Sequence, residues 1–249
     1  MNRLPMLCMF CGKDETHGPM NREDFAPRGL WEKGHRPPFV RKVPAHIACN
    51  SAFSEDNEYF RDVLALELGA VEKCDAAKLV VEGAIDRKLA KRPGSIAKTL
   101  KNFRNRPIVT PSGLLIGEMP GFEVDPTRIQ RVLFNVMKGI YFTAQKTPMP
   151  LDFQLEVYDT QCIEEDPYRR TVESMVPWQT FGDDAFMCRY RMFGKPTKGM
   201  ACLMHFYKNR MFYGIAMSPQ MEEEEKNREM FLPASPKSPI LVPRHRAEY

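Results

Sequence analysis

Two short pairs of side chains can act on one ion: Cys8-Met9-Phe10-Cys11 near the start and His46-Ile47-Ala48-Cys49 further on. In each, the two-residue gap lets both side chains face the same point. Structural zinc sites take four nitrogen or sulfur ligands in a tetrahedron, and two such pairs on a variable connector commonly supply them. The connector here carries Pro19, Pro27, Pro37, Pro38 and Pro44 and shows no helical period. It can bury little core by itself, so a metal staple has most to contribute there. Gly12-Lys13 after Cys11 suits a tight knuckle whose backbone N–H groups point at metal-bound sulfurs. Cys8, Cys11, His46 and Cys49 are therefore the expected ligands of a structural Zn²⁺. The plainer alternative makes Cys8 and Cys11 small core hydrophobes and His46 a surface histidine. A redox C-x-x-C is disfavoured, because no strand–helix unit surrounds Cys8.

A second chemical signal is charge. Arg87, Lys88, Lys91, Arg92, Lys98, Lys101, Arg104 and Arg106 follow one another with no acid between them. Such a run can neutralise phosphates and release their counterions, which dominates non-specific nucleic-acid affinity. DNA is the partner it suggests, against the commoner fate of a solvated helix face. Cys74, Cys162, Cys188 and Cys202 are isolated and read as buried thiols, and His205 as a strand histidine.

These side chains need elements to hold them. Tyr59, Phe60, Val63, Leu64, Leu66 and Leu68 recur at helical spacing from Ser54, with Ser51 or Ser54 as cap and Gly69 as terminator. Helical stretches follow over 75–91 and 95–103, parted by Pro93-Gly94. Ile108-Val109-Thr110 and Leu114-Leu115-Ile116 read as strands, with Pro120 and Gly121 as turn residues. Asp125-Pro126 caps a helix whose stripe is Ile129, Val132, Leu133, Val136, Met137, Ile140 and Tyr141. Phe103, Phe122 and Tyr141 are expected to pack in the core. Three strand candidates close the series, 153–158, 185–193 and 200–217, the last broken at Lys208-Asn209. The predicted class is α+β: a zinc-binding module over 1–69, a basic helical connector over 70–106, an α+β domain with a mostly antiparallel sheet over 107–220, and a disordered tail over 221–249. Glu222–Glu225 and then Pro233, Pro236, Pro239 and Pro243 mark that tail.

Composition narrows the class. The chain has 249 residues, 43% hydrophobic and 27% charged, with net charge +4, which excludes collagen-like, coiled-coil and wholly disordered types. No apolar run approaches the roughly 18 residues of a membrane span. The Met1-Asn2-Arg3-Leu4-Pro5 start lacks an apolar leader, so a cytoplasmic location is expected. With seven cysteines, an odd number, no disulfide framework is expected there.

Taken in order, Cys8-x-Phe10-Cys11-Gly12-Lys13, Arg22-Glu23-Asp24-Phe25-Ala26-Pro27-Arg28-Gly29-Leu30-Trp31, Val43-Pro44-Ala45-His46-x-x-Cys49-Asn50-Ser51 and Phe53-Ser54-x-Asp56-x-Glu58-Tyr59-Phe60-Arg61 resemble the HNH endonuclease family. The likeness is narrower to a bacterial and phage subgroup whose HNH module heads a longer chain. It is specific over about 6–62 and looser over 107–217, through Phe122-x-Val124-Asp125-x-x-Arg128-Ile129-x-Arg131-Val132-Leu133, Lys138-Gly139-Ile140-Tyr141-Phe142 and Phe206-Tyr207. The resemblance implies a treble-clef or ββα-metal fold, with zinc at the four ligands above. It also implies phosphodiester hydrolysis of DNA, with a histidine as general base and a divalent ion on the leaving oxygen.

One departure matters for that chemistry. The family's general-base histidine falls on Asp24, between Glu23 and Pro27. An aspartate can hold Mg²⁺ or Mn²⁺, since hard cations prefer oxygen. It is a poorer base near neutral pH, its ordinary pKa being about 4 against about 6.5 for histidine. His17 is the rival base. Asn50 matches the asparagine that positions the base and its loop, and Asp56 and Glu58 are the acids available to complete a metal site. The alternative function is a degenerate HNH-fold zinc module that binds nucleic acid or a protein without cleaving. The C-terminal half shows no motif of its own and is left as a possible protein-docking domain.

Overall fold

The computed structural model describes residues 6–37, 40–101, 103–110, 112–160, 171–181, 184–194 and 196–226. Strands β1 (Met20–Asp24) and β2 (Lys42–His46) pair antiparallel, from Met20 opposite His46 to Asp24 opposite Lys42. Helices α1 (Ile47–Ser51) and α2 (Ser54–Ala65) follow directly. Next come α3 (Ala70–Lys73), α4 (Asp75–Val80), a π-helical turn over Val81–Ile85, α5 (Asp86–Lys91) and α6 (Pro93–Thr99). A separate hairpin, β3 (Arg104–Val109) with β4 (Leu115–Gly121), leads into the long helix α7 (Pro126–Gln145). The remaining strands, β5 (Gln154–Asp159), β6 (Gln179–Phe181), β7 (Phe186–Phe193), β8 (Gly199–Phe206) and β9 (Arg210–Met217), form an antiparallel sheet ordered β5-β9-β8-β7-β6. Helix α8 (Pro219–Lys226) ends the described chain. The class is α+β with antiparallel sheets.

Central strands β8 and β9 are mostly apolar and buried, His205 and Arg210 lying near their shared turn, and their period of two divides the side chains. Met200, Cys202, Met204 and Phe206 join the main core, while Ala201, Leu203, Tyr213, Ile215 and Met217 join a smaller cluster with Met175. The main core runs without a break from the N-terminal module into the sheet. Phe60 meets Phe206 edge-on at 5.0 Å, and Phe25 packs edge-on against the stacked pair Phe181 and Phe186 at 5.2 and 5.7 Å. Buried Tyr207 donates its hydroxyl to the Leu30 carbonyl at 3.0 Å.

Helix α7 spans this junction. Asp125 caps it as expected, its carboxylate accepting from the Thr127 and Arg128 amides at 3.0 and 3.4 Å, and the apolar stripe from Ile129 to Tyr141 is buried.

Several sequence expectations differ. The proline-rich connector, for which no element was expected, holds the β1–β2 hairpin; burial does not alternate along β1 and Pro44 lies within β2, so the sequence carries little strand pattern there. Helix α2 stops at Ala65, four residues before Gly69, and neither Ser51 nor Ser54 caps it. Its cap position is Phe53, whose N–H bonds the Asn50 carbonyl of the abutting α1. Strand β4 runs through Pro120 and Gly121, which a two-stranded hairpin tolerates because each strand is an edge. Strand β6 is too short to leave a pattern. Phe103 is 60% exposed, outside the core, whereas Tyr141 is buried. Residues 221–226 are helical where a disordered tail was expected; the rest of that tail, and Cys162, lie outside the described residues. Among the described residues no helix is long and apolar enough to cross a membrane.

Candidate metal centre

The two ligand pairs converge. Ligand atoms of Cys8, Cys11, His46 and Cys49 all lie within 4.8 Å of one another. His46 Nδ1 is 3.3 Å from Cys11 Sγ and 3.8 Å from Cys49 Sγ. A tetrahedral ion with sulfur at about 2.3 Å and nitrogen at about 2.1 Å separates such atoms by about 3.6 Å, so the spacing fits one ion. This group can hold a metal ion such as zinc.

Local structure explains how the pairs meet. The knuckle closes through Gly12 N–H to the Cys8 carbonyl at 2.8 Å, and Gly12 has φ +72°, a left-handed conformation that glycine adopts without strain. Met9 N–H bonds the Pro44 carbonyl at 2.9 Å, which docks the knuckle on β2. His46 is the last residue of β2 and Cys49 lies on α1, so the strand-to-helix junction delivers the second pair.

The surroundings tune both sulfur and nitrogen. Burial raises the Cys8 thiol, but backbone N–H bonds from His46, Cys11 and Phe10 oppose it, and the net value lies below the ordinary thiol. Burial and the charges of Cys8 and Cys11 push the Cys49 thiol up to about 12. Crowded thiolates of this kind gain most from a dication between them. His46 Nε2–H donates to the Asp14 carbonyl at 2.8 Å, which leaves Nδ1 as the free lone pair aimed at the sulfurs. The Asp14 carboxylate in turn accepts from the Thr16 amide at 3.1 Å and shapes that loop. Sequence reading missed Asp14 because it acts through its main chain; the need of any histidine ligand for an outer acceptor is the only available signal.

The other candidate residues do not gather there. Asp24, at the end of β1, has its side chain 4% exposed and ion-paired with Arg36. His17 lies in the exposed turn after Asp14, its Nδ1 3.4 Å from the Asp14 carboxylate and 3.2 Å from Thr16 Oγ1. Asn50 sits on α1 beside Cys49. Asp56 accepts from Arg128 Nε at 2.6 Å and Arg131 Nε at 2.7 Å, tying α2 to α7. Glu58 pairs with Lys88 at 2.8 Å, which holds its carboxyl below the ordinary value. Among the described residues no second group of three metal-binding side chains occurs.

The basic run is also divided. Arg87 pairs with Glu32 at 2.6 Å, and Lys88 with the fully buried Asp62 at 2.6 Å. Lys91, Arg92, Lys101 and Arg104 are exposed, from the end of α5 to the start of β3. Lys98 lies in α6 and Arg106 in β3. Cys74, Cys188 and Cys202 are buried, and burial pushes the Cys188 thiol up to about 12, as inert core thiols require.

Asp56 supplies a pH test. Burial raises its carboxyl, yet bonds from Arg131 and Arg128 outweigh that and hold it below the ordinary carboxylate range. A depressed folded value contributes stability above the unfolded pKa, and the contribution is lost as pH falls through the folded one. Asp56→Asn is therefore expected to unfold more readily than wild type at pH 7, with the gap closing below about pH 4. Denaturant titrations at several pH values read this directly; a gap that persists at low pH would remove the ion pairs as its cause.

Comparison with protein-family models, with curated proteins and with solved structures gave no match for this chain.

Proposed function

We propose that the chain is an HNH-derived module, stapled by a structural Zn²⁺, that binds DNA and does not hydrolyse it at the family's usual position. The carrying observation is the Asp24–Arg36 pair. A carboxylate that is 4% exposed and held by a guanidinium is neither a base for water nor an open ligand for Mg²⁺ or Mn²⁺. Asp56 and Glu58, tied to α7 and α5, are likewise engaged elsewhere. Zinc is the ion favoured by three thiolates and an imidazole. A hairpin followed by a helix around those ligands is the arrangement that the HNH resemblance implies, and it supports the reading. The exposed Lys91, Arg92, Lys101 and Arg104 supply the phosphate contacts.

A second reading rests on His17. Its contact with the Asp14 carboxylate orients an exposed imidazole, and the Asp14 carbonyl also receives the His46 ligand, so a general base would stand in the same loop. In that case the protein is a metal-dependent nuclease organised around His17.

The two readings separate in one set of assays. Purified protein with Mg²⁺ or Mn²⁺ is expected to leave plasmid DNA intact while shifting duplex DNA in gels. Lys91→Glu with Arg104→Glu should weaken that binding. The slope of log affinity against log salt should also become shallower, by about 0.9 for each phosphate that is no longer neutralised. Cleavage that His17→Ala abolishes would replace the first reading with the second. Absence of both cleavage and binding would remove both.

A further inference from the structure

A cleft of about 790 Å³ opens between the β3–β4 hairpin and the body, and none of the metal ligands lines it. Ile108 and Met119 of the hairpin stem form one wall, and Ile129 and Leu133 of α7 with Phe212 of β9 form the other. Glu67, Asp159 and Arg210 also line the space. Arg210 bonds both acids, and Asp159 and Arg210 have further partners, so the apolar walls choose the occupant.

A filler suited to such walls is on the same chain. The hairpin tip carries Leu114, Leu115 and Ile116, which are 64, 59 and 62% exposed, and none of the three lines the cleft. The stem is the cleft's own wall, so a chain's tip stands beyond its own cleft. Half of the large apolar side chains exposed among the described residues, these three with Leu68, Phe103 and Val124, lie on the hairpin, next to it or along the cleft. Apolar exposure gathered in one region marks an association surface. The tip is also held in one shape. Thr110 N–H bonds the Leu114 carbonyl and Gly113 N–H the Thr110 carbonyl, both at 2.8 Å, and Leu114 N–H donates to Thr110 Oγ1 at 3.0 Å. A tip ordered in advance loses little freedom on docking. Pro107 in β3 and Pro120 in β4 each lack a backbone donor, which makes the hairpin a poor template for a further strand. Association is left to the side chains of the tip.

We infer that the cleft receives the Leu114-Leu115-Ile116 tip of a second copy of this chain, each copy giving one tip and one cleft, so that the pair closes as a two-fold dimer. Area sets its strength. A Leu or Ile side chain carries on the order of 100 Å² of apolar surface. Two tips, the walls they cover and the rim side chains Leu68 and Val124 then bury on the order of 1,000 Å², the small end of specific interfaces. A dissociation constant of about 10–100 µM is expected.

Sedimentation velocity of the zinc-loaded full chain without DNA, from about 1 to about 300 µM, should show monomer passing to dimer. Leu115→Glu places a charge on the tip and should raise the dissociation constant at least about tenfold, with the unfolding temperature unchanged because Leu115 is exposed. Cross-linking identifies the occupant. A short bis-maleimide should join Leu115→Cys to Gln130→Cys, a half-buried lining position, when the two variants are mixed, and should not join Leu115→Cys to itself; wild type serves as the blank. A monomer at every concentration would overturn the inference and leave the cleft to an apolar small molecule. A dimer that Leu115→Glu leaves intact would also overturn it, as would cross-linking of Leu115→Cys to itself, which would mean that the tips meet each other. Dimerisation without DNA is measured apart from the DNA assays above, so either reading can fail without the other.

Discussion

Cys49→Ser is expected to reduce bound zinc from about one ion per chain to almost none and to lower the unfolding temperature by about 10 °C or more. The size follows from two magnitudes. Metal binding contributes about 10–16 kcal/mol to folding in small zinc modules, while whole domains are stable by only about 5–15 kcal/mol. Here the loss is moderated, because the module shares its core with the sheet through Phe25, Phe60 and Tyr207. A few kcal/mol at about 2–4 °C each still gives a large shift. Damage should be greatest where the metal is the main tie. Residues 6–19 are held to β2 and α1 by the Met9–Pro44 and Ile47–Pro19 backbone bonds, the His46–Asp14 bond and the four ligands. Limited proteolysis of Cys49→Ser should therefore cut first in that region. Cys74→Ser serves as the control: its thiol is buried but lies outside the ligand group, so zinc content should not change. Metal analysis that finds no zinc in wild type, or equal zinc in Cys49→Ser, would remove the staple as a source of stability.

What could be read from the sequence depended on the range over which each residue acts. The ligand pairs were legible because an i, i+3 spacing is a local property, and the structure brings all four together. Helix α7 was legible for the same reason, its cap and stripe being written in consecutive turns. The β1–β2 hairpin was not, since β1 is half-buried without alternation, β2 carries Pro44, and the hairpin depends on the knuckle and α7 for its place. The roles of the acids were legible only in type. Asp56 reads as an acid favouring the positive end of a helix, but its partners Arg128 and Arg131 come from a distant helix and turn it into a strut. Asp24 reads as a substituted base, and only the approach of Arg36 across the loop shows its carboxylate to be engaged. The basic run is uniform in sequence, yet Lys88 is drawn inward by Asp62 and Arg87, though exposed, is paired with Glu32. Charge patterns report composition; burial and long-range partners decide which charges remain at the surface.

The junction of α7 with the hairpin should be the most sensitive packing site in the molecule. A Cβ placed on Gly139 would lie 2.4 Å from Phe25 Cβ and 3.1 Å from Phe25 Cα, so backbone must move to admit it. Two effects compete in Gly139→Ala. Replacing glycine within a helix contributes about 1 kcal/mol, while overpacking a close contact costs about 1–3 kcal/mol. The clash falls on the base of a buried side chain packed edge-on against the stacked pair Phe181 and Phe186, which leaves little room to relax, so a net loss of about 1–2 kcal/mol is expected. Gly139→Val should cost more, with no helix-propensity gain of comparable size to offset it. Gly94, in α6, supplies the contrast: nothing lies within 4 Å of a Cβ there, and Gly94→Ala should stabilise by about 0.5–1 kcal/mol. The consequence reaches the metal. Phe25 directly follows Asp24, the last residue of the strand paired to His46's strand, and neighbouring Lys138 donates to the Phe10 carbonyl in the knuckle at 3.4 Å. A displaced α7 therefore disturbs both ligand pairs at once, and Gly139→Val is expected to lose zinc to a chelator faster than wild type while Gly94→Ala does not. Equal chelation rates with a lowered unfolding temperature would mean that α7 supports the sheet alone and that the knuckle is held by its metal and β2.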